Sequence, residues 1–233
     1  MKKDLLEILD IKKTDIISIT GSGGKTSLMF YLAKKLKTKG SVLVTTSTKI
    51  KLPRKNEADF IYKSFDQYQK PVSNDIIVLG EYINKKNKLK SLGFDKILQI
   101  KNDFDYILIE ADGSRNLPLK YWKSYEPVIY DFTTKTIGIF PINLLGRKID
   151  QSFIYNFKDF KEKIRGDFVD KKMLEDLTKS GIFKDFEGQK YIFLNKAEDY
   201  INEAKDISNY LNKKFKDLKS FYGSIYKEEF YEN

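Results

Sequence analysis

The hydrophobic pattern near the start of the chain predicts a strand, a loop and a helix. Residues 15–20 form a short apolar run, glycines follow it, and Leu28, Leu32 and Leu36 then recur at helical spacing. A second apolar run, at 41–48, is nearly all β-branched, which is typical of a strand buried on both faces. The pattern therefore predicts a βαβ unit whose two strands are parallel.

Further strand and helix patterns follow along the rest of the chain. Strand patterns lie at 75–93, where a polar turn NKKNK separates two short strands, and then at 104–115, 135–142 and 191–194. Apolar residues three and four positions apart predict a helical insertion at 151–185 and an amphipathic helix at 197–215. Strands that alternate with helices predict one α/β domain over residues 1–233, with a mostly parallel sheet.

The composition places the chain among globular proteins. Of 233 residues, 41% are hydrophobic and 33% are charged, unlike the composition of disordered chains. No apolar run reaches the length of a membrane span, and the start MKKDLLEILD lacks the pattern of a signal peptide. We therefore expect a cytoplasmic protein without a membrane partner.

The charge and the missing residue types exclude several kinds of function. The net charge is +10, but only four of 43 basic residues are arginine and the lysines are spread along the chain, so no nucleic-acid partner is expected. Cysteine and histidine are both absent. Their absence excludes disulfides, thiolate nucleophiles, imidazole bases and the usual zinc sites.

The segment TGSGGKTS at 20–27 predicts a phosphate-binding loop between the first strand and helix. Glycines allow successive backbone amides to point at an anion beside a helix N-terminus, Lys25 would neutralise phosphate charge, and Thr26 would bind Mg²⁺. The usual template requires glycine where Ile19 stands, so we infer a loop shortened by two residues. The alternative is a glycine-rich turn without a ligand. The predicted nucleotide-binding residues here are Gly21, Ser22, Gly23, Gly24, Lys25, Thr26 and Ser27.

Two carboxylates follow the strand pattern YILIE. Glu110 ends the run and Asp112 lies two residues later, which puts both on one side of an extended chain. Glu110 is predicted to hold Mg²⁺ together with Thr26, and Asp112 to orient a nucleophile or the neighbouring loop. The alternative is that the acids cap the next element. Lys25, Glu110 and Asp112 are the predicted catalytic residues.

Four further residues are candidates for binding a second substrate. Thr46 and Lys49 lie at the carboxyl end of the second strand, which faces the ligand crevice in a doubly wound sheet. Arg115 and Lys120 follow Asp112 and are candidates for contact with an anionic substrate. Ordinary β-propensity for the threonine and a solvated loop for the cations are the alternatives.

The segment FLNKAED late in the chain is similar to the N-K-x-D sequence with which GTP-binding proteins read guanine. Asn195 and Lys196 are present, and Glu198 stands where that sequence has aspartate. The segment predicts that Asn195 and Lys196 contact the nucleotide. ATP and GTP both remain candidates.

Taken together, ITGSGGKTSLM, VLVTTSTKI, ILIEADGSRNLPLKYWKSYEPVI and FLNKAED, in this order, resemble the YqeC family of selenium-dependent hydroxylase accessory proteins. The resemblance spans about residues 15–200, and its most specific part is E-A-D-G-S-R followed by P-L-K and E-P-V-I. It implies a P-loop NTPase-like three-layer fold and a role in the maturation of selenium-dependent molybdenum hydroxylases. Where family sequences usually have histidine before E-P-V-I, this chain has Tyr125.

The motifs predict a slow, Mg²⁺-dependent nucleoside triphosphatase, and the resemblance implies that its partner is a molybdenum hydroxylase or its maturation proteins. The short loop also resembles that of the Mur ligases, so an ATP-dependent small-molecule ligase or kinase is one alternative. A non-catalytic scaffold that nucleotide switches between states is the other.

Overall fold

The structure, a computed structural model, describes residues 2–233. Its strands are β1 (Ile16–Gly21), β2 (Val42–Thr46), β3 (Lys49–Lys51), β4 (Phe60–Tyr62), β5 (Ile76–Leu79), β6 (Glu81–Ile83), β7 (Lys88–Lys90), β8 (Tyr106–Glu110), β9 (Leu119–Lys120), β10 (Lys135–Pro141), β11 (Ile154–Tyr155), β12 (Gln189–Asn195), β13 (Leu218–Ser224) and β14 (Glu229–Glu232). Its α-helices are α1 (Leu5–Ile8), α2 (Lys25–Lys37), α3 (Phe94–Ile100), α4 (Phe157–Lys163), α5 (Lys171–Ser180) and α6 (Ile201–Lys214).

Nine strands form one sheet in the order β14-β13-β12-β10-β1-β8-β2-β5-β4. Every neighbouring pair is parallel except β13 and β14, which are antiparallel. The expected α/β fold with a mostly parallel sheet is therefore confirmed. The strand β1 lies near the centre, between β10 and β8, so the loop that follows it is flanked by the carboxyl ends of two other strands.

Apolar side chains cover both faces of the central sheet. Along β2, Val42 and Val44 belong to one buried cluster and Leu43 to another, because successive side chains of a strand point to opposite faces. The face of α2 that carries Leu28 and Leu32 is fully buried in the first cluster. Helices thus pack on the sheet through the residues that the helical spacing singled out.

The structure differs from the sequence pattern in several elements. The segment 75–93 contains three strands rather than two, and β6 and β7 form the antiparallel pair around the polar turn. The segment 151–185 contains α4 and α5 but also β11, which pairs with β9. A two-residue strand is too short to produce a periodic pattern. The elements α1, α3, β3, β4, β9, β13 and β14 were not predicted.

A small antiparallel sheet, in the order β3-β7-β6, stands beside the main sheet. Ile50 of β3 and Leu89 of β7 are buried in the same cluster as α2, which fixes this small sheet against the body of the domain. Within residues 2–233, no helix has the length and apolar character that crossing a bilayer requires.

Candidate functional site

A cleft of about 1300 Å³ lies at the carboxyl ends of the central strands. One wall is formed by the residues from Gly23 to Ser27, at the end of the loop after β1 and in the first turn of α2. Glu110 at the end of β8 and Asn195 at the end of β12 also line it. Open parallel sheets bind ligands at this edge, because their strand ends and helix N-termini meet there.

The glycine loop (residues 21–24) has a backbone that only glycine adopts easily. The φ angles of Gly21, Gly23 and Gly24 are +88°, +85° and +138°. A Cβ atom on Gly23 would lie 2.7 Å from the ring of Pro141, and one on Gly24 would collide with the amide nitrogen of Asn195. The loop is therefore both unusual in conformation and tightly enclosed from behind.

The backbone amides of the loop divide into two groups. Those at its start are used internally, because Gly21 N donates to Asp112 Oδ2 at 3.0 Å and Ser22 N donates to Ile139 O at 3.1 Å. The amides from Gly23 to Ser27 donate to no acceptor within residues 2–233. Five consecutive free donors at a helix N-terminus favour an anion.

Thr26 and Glu110 lie side by side at the first turn of α2. Thr26 Oγ1 donates to Glu110 Oε2 at 2.7 Å, and the Glu110 side chain is buried. Burial raises the pKa of Glu110, and the nearby Lys25 ammonium only partly opposes that effect. Hydroxyl and carboxylate oxygens are ligands that Mg²⁺ accepts, so this pair fits the metal. Within the described residues, no cluster of three acidic side chains forms a ready metal cage.

Lys25 and Lys120 share the buried carboxylate of Asp112. Lys25 Nζ lies 3.1 Å from Oδ1, and Lys120 Nζ lies 3.3 Å from Oδ2, which also accepts from Trp122 Nε1 at 2.5 Å. Burial by itself would raise the pKa of Asp112, but the two ammonium groups, together with the N–H donors of Gly21 and Trp122, outweigh it and hold the pKa below its ordinary value. Asp112 is thus an ionised anchor for the start of the glycine loop.

The charge of Lys25 is retained despite its burial. Burial alone would lower its pKa, but the carboxylates of Asp112 and Glu110 outweigh that effect and raise it. Its Nζ donates to Gly21 O at 2.6 Å, so the lysine folds back over the loop. The resulting arrangement sets a fixed positive charge beside free amides and a carboxylate, which can bind a phosphate chain with its metal.

The segment that follows β12 reaches the same loop. Asn195 Nδ2 donates to Gly23 O at 2.8 Å, and its Oδ1 accepts from Ile225 N at 3.3 Å. Lys196 and Glu198 both line the cleft, and Glu198 Oε1 accepts from Ser224 Oγ at 2.7 Å. In the structure, Asn195 therefore supports the back of the loop, while the other two residues face the ligand space.

Several of the predicted site residues have side chains that do not face the cleft. The hydroxyl of Thr46 is fully buried and donates to Glu110 O at 2.8 Å, and Ser22 Oγ donates to Pro118 O at 2.9 Å. Lys120 is buried between Asp112 and Glu126. None of Thr46, Ser22, Lys120 and Asp112 lines the cleft, so these residues support the site from behind and do not face a substrate. Sequence position alone does not reveal which way such side chains turn.

Two candidate cations do face the cleft, together with residues that the sequence did not single out. Lys49 and Arg115 both line it, and the Arg115 guanidinium lies 5.2 Å from the centre of the Tyr155 ring. Lys88 of β7 lines it as well. Trp122 was missed as a partner of Asp112, although it stands in the segment PLKYWKSYEPVI that carries the resemblance.

Comparison with known proteins assigns the chain to a family. A family model described as YqeC protein matches residues 17–158, which include the glycine loop, Glu110 and Asp112. The uncharacterized protein YqeC of Escherichia coli (strain K12) is 32% identical over 157 residues, or 65% of this chain and 61% of that relative. This chain therefore spans less than two thirds of the relative's length. Because the family match covers more than half of the chain, the protein belongs to the YqeC family.

Proposed function

We propose that this protein binds a nucleoside triphosphate with Mg²⁺ at the glycine loop and hydrolyses it slowly, as a P-loop NTPase-like domain. The observation that carries the proposal is the contact of 2.7 Å between Thr26 Oγ1 and Glu110 Oε2, next to free amides. A glycine-rich turn without a ligand gives no reason for a buried carboxylate at the first turn of the following helix. Nucleotide binding does give one.

Each residue has a defined part in the proposal. The free amides and Lys25 hold the phosphates, while Thr26 and Glu110 hold Mg²⁺, which neutralises phosphate charge when it is bound. Asp112 keeps Lys25 and the loop in position. Four groups already direct N–H donors or ammonium charge at Asp112, so it is a poor acceptor for a proton from water. The sequence also lacks histidine, so we expect turnover to be slow.

The biological role is proposed from family membership. We infer that the nucleotide drives a maturation step on a selenium-dependent molybdenum hydroxylase, so that the partner is the hydroxylase or one of its maturation proteins. The identity of the base stays open between ATP and GTP. Asn195 is engaged with the loop backbone, and the glutamate at 198 is longer than the aspartate that reads guanine.

Thermal unfolding with ATP and GTP, each with and without Mg²⁺, tests the proposal. A nucleotide at 100 times its Kd adds about 2.7 kcal/mol of stability, which raises the Tm of a chain of this size by roughly 5–11 °C. Lys25→Ala should lose that rise, and Thr26→Ala should lose its Mg²⁺-dependent part. Lys34→Ala, an exposed lysine on the same helix, is the matched control and should behave as the parent.

Two results would contradict the proposal. In the first, neither nucleotide changes the Tm of the parent protein. In the second, Lys25→Ala and Thr26→Ala bind nucleotide as tightly as the parent does. Because Lys25→Ala removes a partner of the buried Asp112, its folding is checked by far-UV circular dichroism. Thr26→Ala leaves that ion pair intact and decides the question if Lys25→Ala is unfolded.

A ligase or kinase is the second candidate, favoured by Lys49, Lys88 and Arg115, which line the cleft and could bind an anionic acceptor. Product analysis separates the two activities. Release of free phosphate alone supports hydrolysis, whereas a phosphorylated or adenylated acceptor supports transfer.

A further inference from the structure

The strands β3 and β7 pair lysine with lysine at two positions, on either side of the Ile50–Leu89 pair. Lys49 lies directly opposite Lys90, and Lys51 lies directly opposite Lys88. Like charges in directly opposed positions destabilise an antiparallel pair. No ion pair is formed by any of these four lysines with another side chain of residues 2–233. We call Lys49, Lys51, Lys88 and Lys90 the lysine ribbon.

Three of the four lysines of the ribbon line the cleft, where their side chains stay accessible to solvent. Ile50 and Leu89, the residues between the lysines, are buried in the core. Successive side chains of a strand point to opposite faces, so the four lysines share the face away from the core. Lys49, Lys51 and Lys88 line the same cleft as the glycine loop.

Two further cations extend this wall, and one lysine reaches towards the candidate metal ligand. Arg54 and Lys86 also line the cleft beside the ribbon. The charge of Lys88 acts on Glu110, where it opposes the rise in pKa that burial causes. The charge of the ribbon therefore acts on Glu110 at the end of β8, the residue that contacts Thr26.

The cleft has room for more than one ligand. Its volume of about 1300 Å³ exceeds the range of roughly 300–1,000 Å³ that is usual for one small molecule. A nucleotide on the glycine loop would engage the free amides from Gly23 to Ser27 and the Thr26–Glu110 pair. These contacts leave the charges of the ribbon without a partner.

We propose that the lysine ribbon binds a second ligand, a small phosphorylated molecule, at the same time as the nucleotide occupies the glycine loop. Simultaneous occupancy rests on the proposed function, whereas phosphate binding by the ribbon does not. Lysine ammonium groups bind phosphate oxygens as point charges, and a ribbon of three residues per strand spans only about 7–10 Å. That size fits a small molecule, and the single arginine on this wall is unlike the arginine-rich surfaces that read nucleic acids.

Calorimetric titration with pyrophosphate tests the inference in two arms at fixed ionic strength. The first uses protein saturated with Mg²⁺ and a non-hydrolysable nucleotide analogue, and the second uses Lys25→Ala without nucleotide. We expect pyrophosphate to bind in both arms, and the double variant Lys51→Gln/Lys88→Gln to weaken it by about tenfold or more. The control Lys205→Gln/Lys213→Gln removes the same charge from the exposed face of α6 and should bind as the parent.

Three results would overturn the inference. The first is that the ribbon variant binds pyrophosphate as tightly as the control variant does. The second is that pyrophosphate displaces the nucleotide analogue, which would mean that the ribbon binds the nucleotide's own phosphates. The third is tight, steeply salt-dependent binding of a single-stranded RNA oligonucleotide that the ribbon variant loses. If no nucleotide binds to any variant, the proposed function fails. Titration of the nucleotide-free parent, the ribbon variant and the control variant with pyrophosphate then still decides whether the ribbon binds phosphate.

Discussion

Replacing Asp112 by asparagine removes the negative charge that two buried lysines share and keeps the shape of the side chain. The asparagine oxygen can still accept from Gly21 N and Trp122 Nε1, which both point at Oδ2 in the parent. What is lost is the attraction to Lys25 and Lys120, at 3.1 and 3.3 Å. Lys120 keeps its ion pair with Glu126, but Lys25 keeps the hydrogen bond to Gly21 O and the more distant charges of Glu110 and Glu126.

The expected loss of stability is large. Removing one partner of a buried ion pair destabilises a protein by about 3–5 kcal/mol, because the remaining charge is left buried without compensation. At about 2–4 °C per kcal/mol for a chain of this size, the Tm should fall by roughly 6–20 °C. The matched control is Asp217→Asn, which breaks the exposed pair with Lys190 at 2.7 Å and should change stability by only about 0–1 kcal/mol.

Urea unfolding followed by far-UV circular dichroism measures both changes. Trp122 is the only tryptophan, so its fluorescence reports on the site while circular dichroism reports on the whole fold. Because the pKa of Asp112 is lowered in the folded state, its contribution to stability should be present at neutral pH. It should be lost as the pH falls through that lowered pKa. Equal free energies of unfolding for Asp112→Asn and Asp217→Asn, within about 1 kcal/mol, would refute the assignment of Asp112 as the anchor.

Two other predictions concern the loop and the candidate metal ligand. Burial raises the pKa of Glu110, so the folded state becomes less stable as the pH rises from the ordinary glutamate pKa to the raised one. Mg²⁺ requires the ionised carboxylate, so the affinity for Mg²⁺-nucleotide, measured by Trp122 fluorescence, should increase over that pH range. If Glu110→Gln shows the same pH profile of affinity as the parent, Glu110 is not the Mg²⁺ ligand. Gly24→Ala should lower the free energy of unfolding by about 1 kcal/mol or more beyond Gly146→Ala, since both positions have positive φ but only Gly24 has no space for a Cβ. Equal losses in the two alanine variants would show that Asn195 yields without strain.

The parallel core could be predicted from the sequence because its signals are local. The β-branched run of β2 and the leucines of α2 at helical spacing each identify their own element. The order of strands in the sheet is not a local property, and β8, rather than β2, lies beside β1. Short elements such as β11 could not be predicted either, because two residues are too few to show a periodic pattern.

The candidate site could be predicted in its chemistry but not in its orientation. The sequence motifs predicted that Thr26 and Glu110 serve one Mg²⁺ site, and the structure brings the two side chains into contact. Thr46 and Lys120 were expected to face a substrate, yet both side chains turn inward. Thr46 donates to Glu110 O at the end of β8, and Lys120 donates to Gly113 O in the segment that follows β8. The charge of a side chain follows from the residue type alone. Its direction depends on packing against residues that are distant in the sequence.

The central position of β1 has a consequence for synthesis on the ribosome. The glycine loop follows residue 20, but the groups that hold it come from Asp112, Ile139 and Asn195. At about 5–20 residues per second, the last of these is made roughly 10–35 s after the loop itself. The nascent loop is therefore made before the residues that support it. Under the proposed function, nucleotide would bind only when nearly the whole sheet has emerged. A truncated product that ends before β12 should consequently carry the complete glycine motif and yet fail to retain nucleotide.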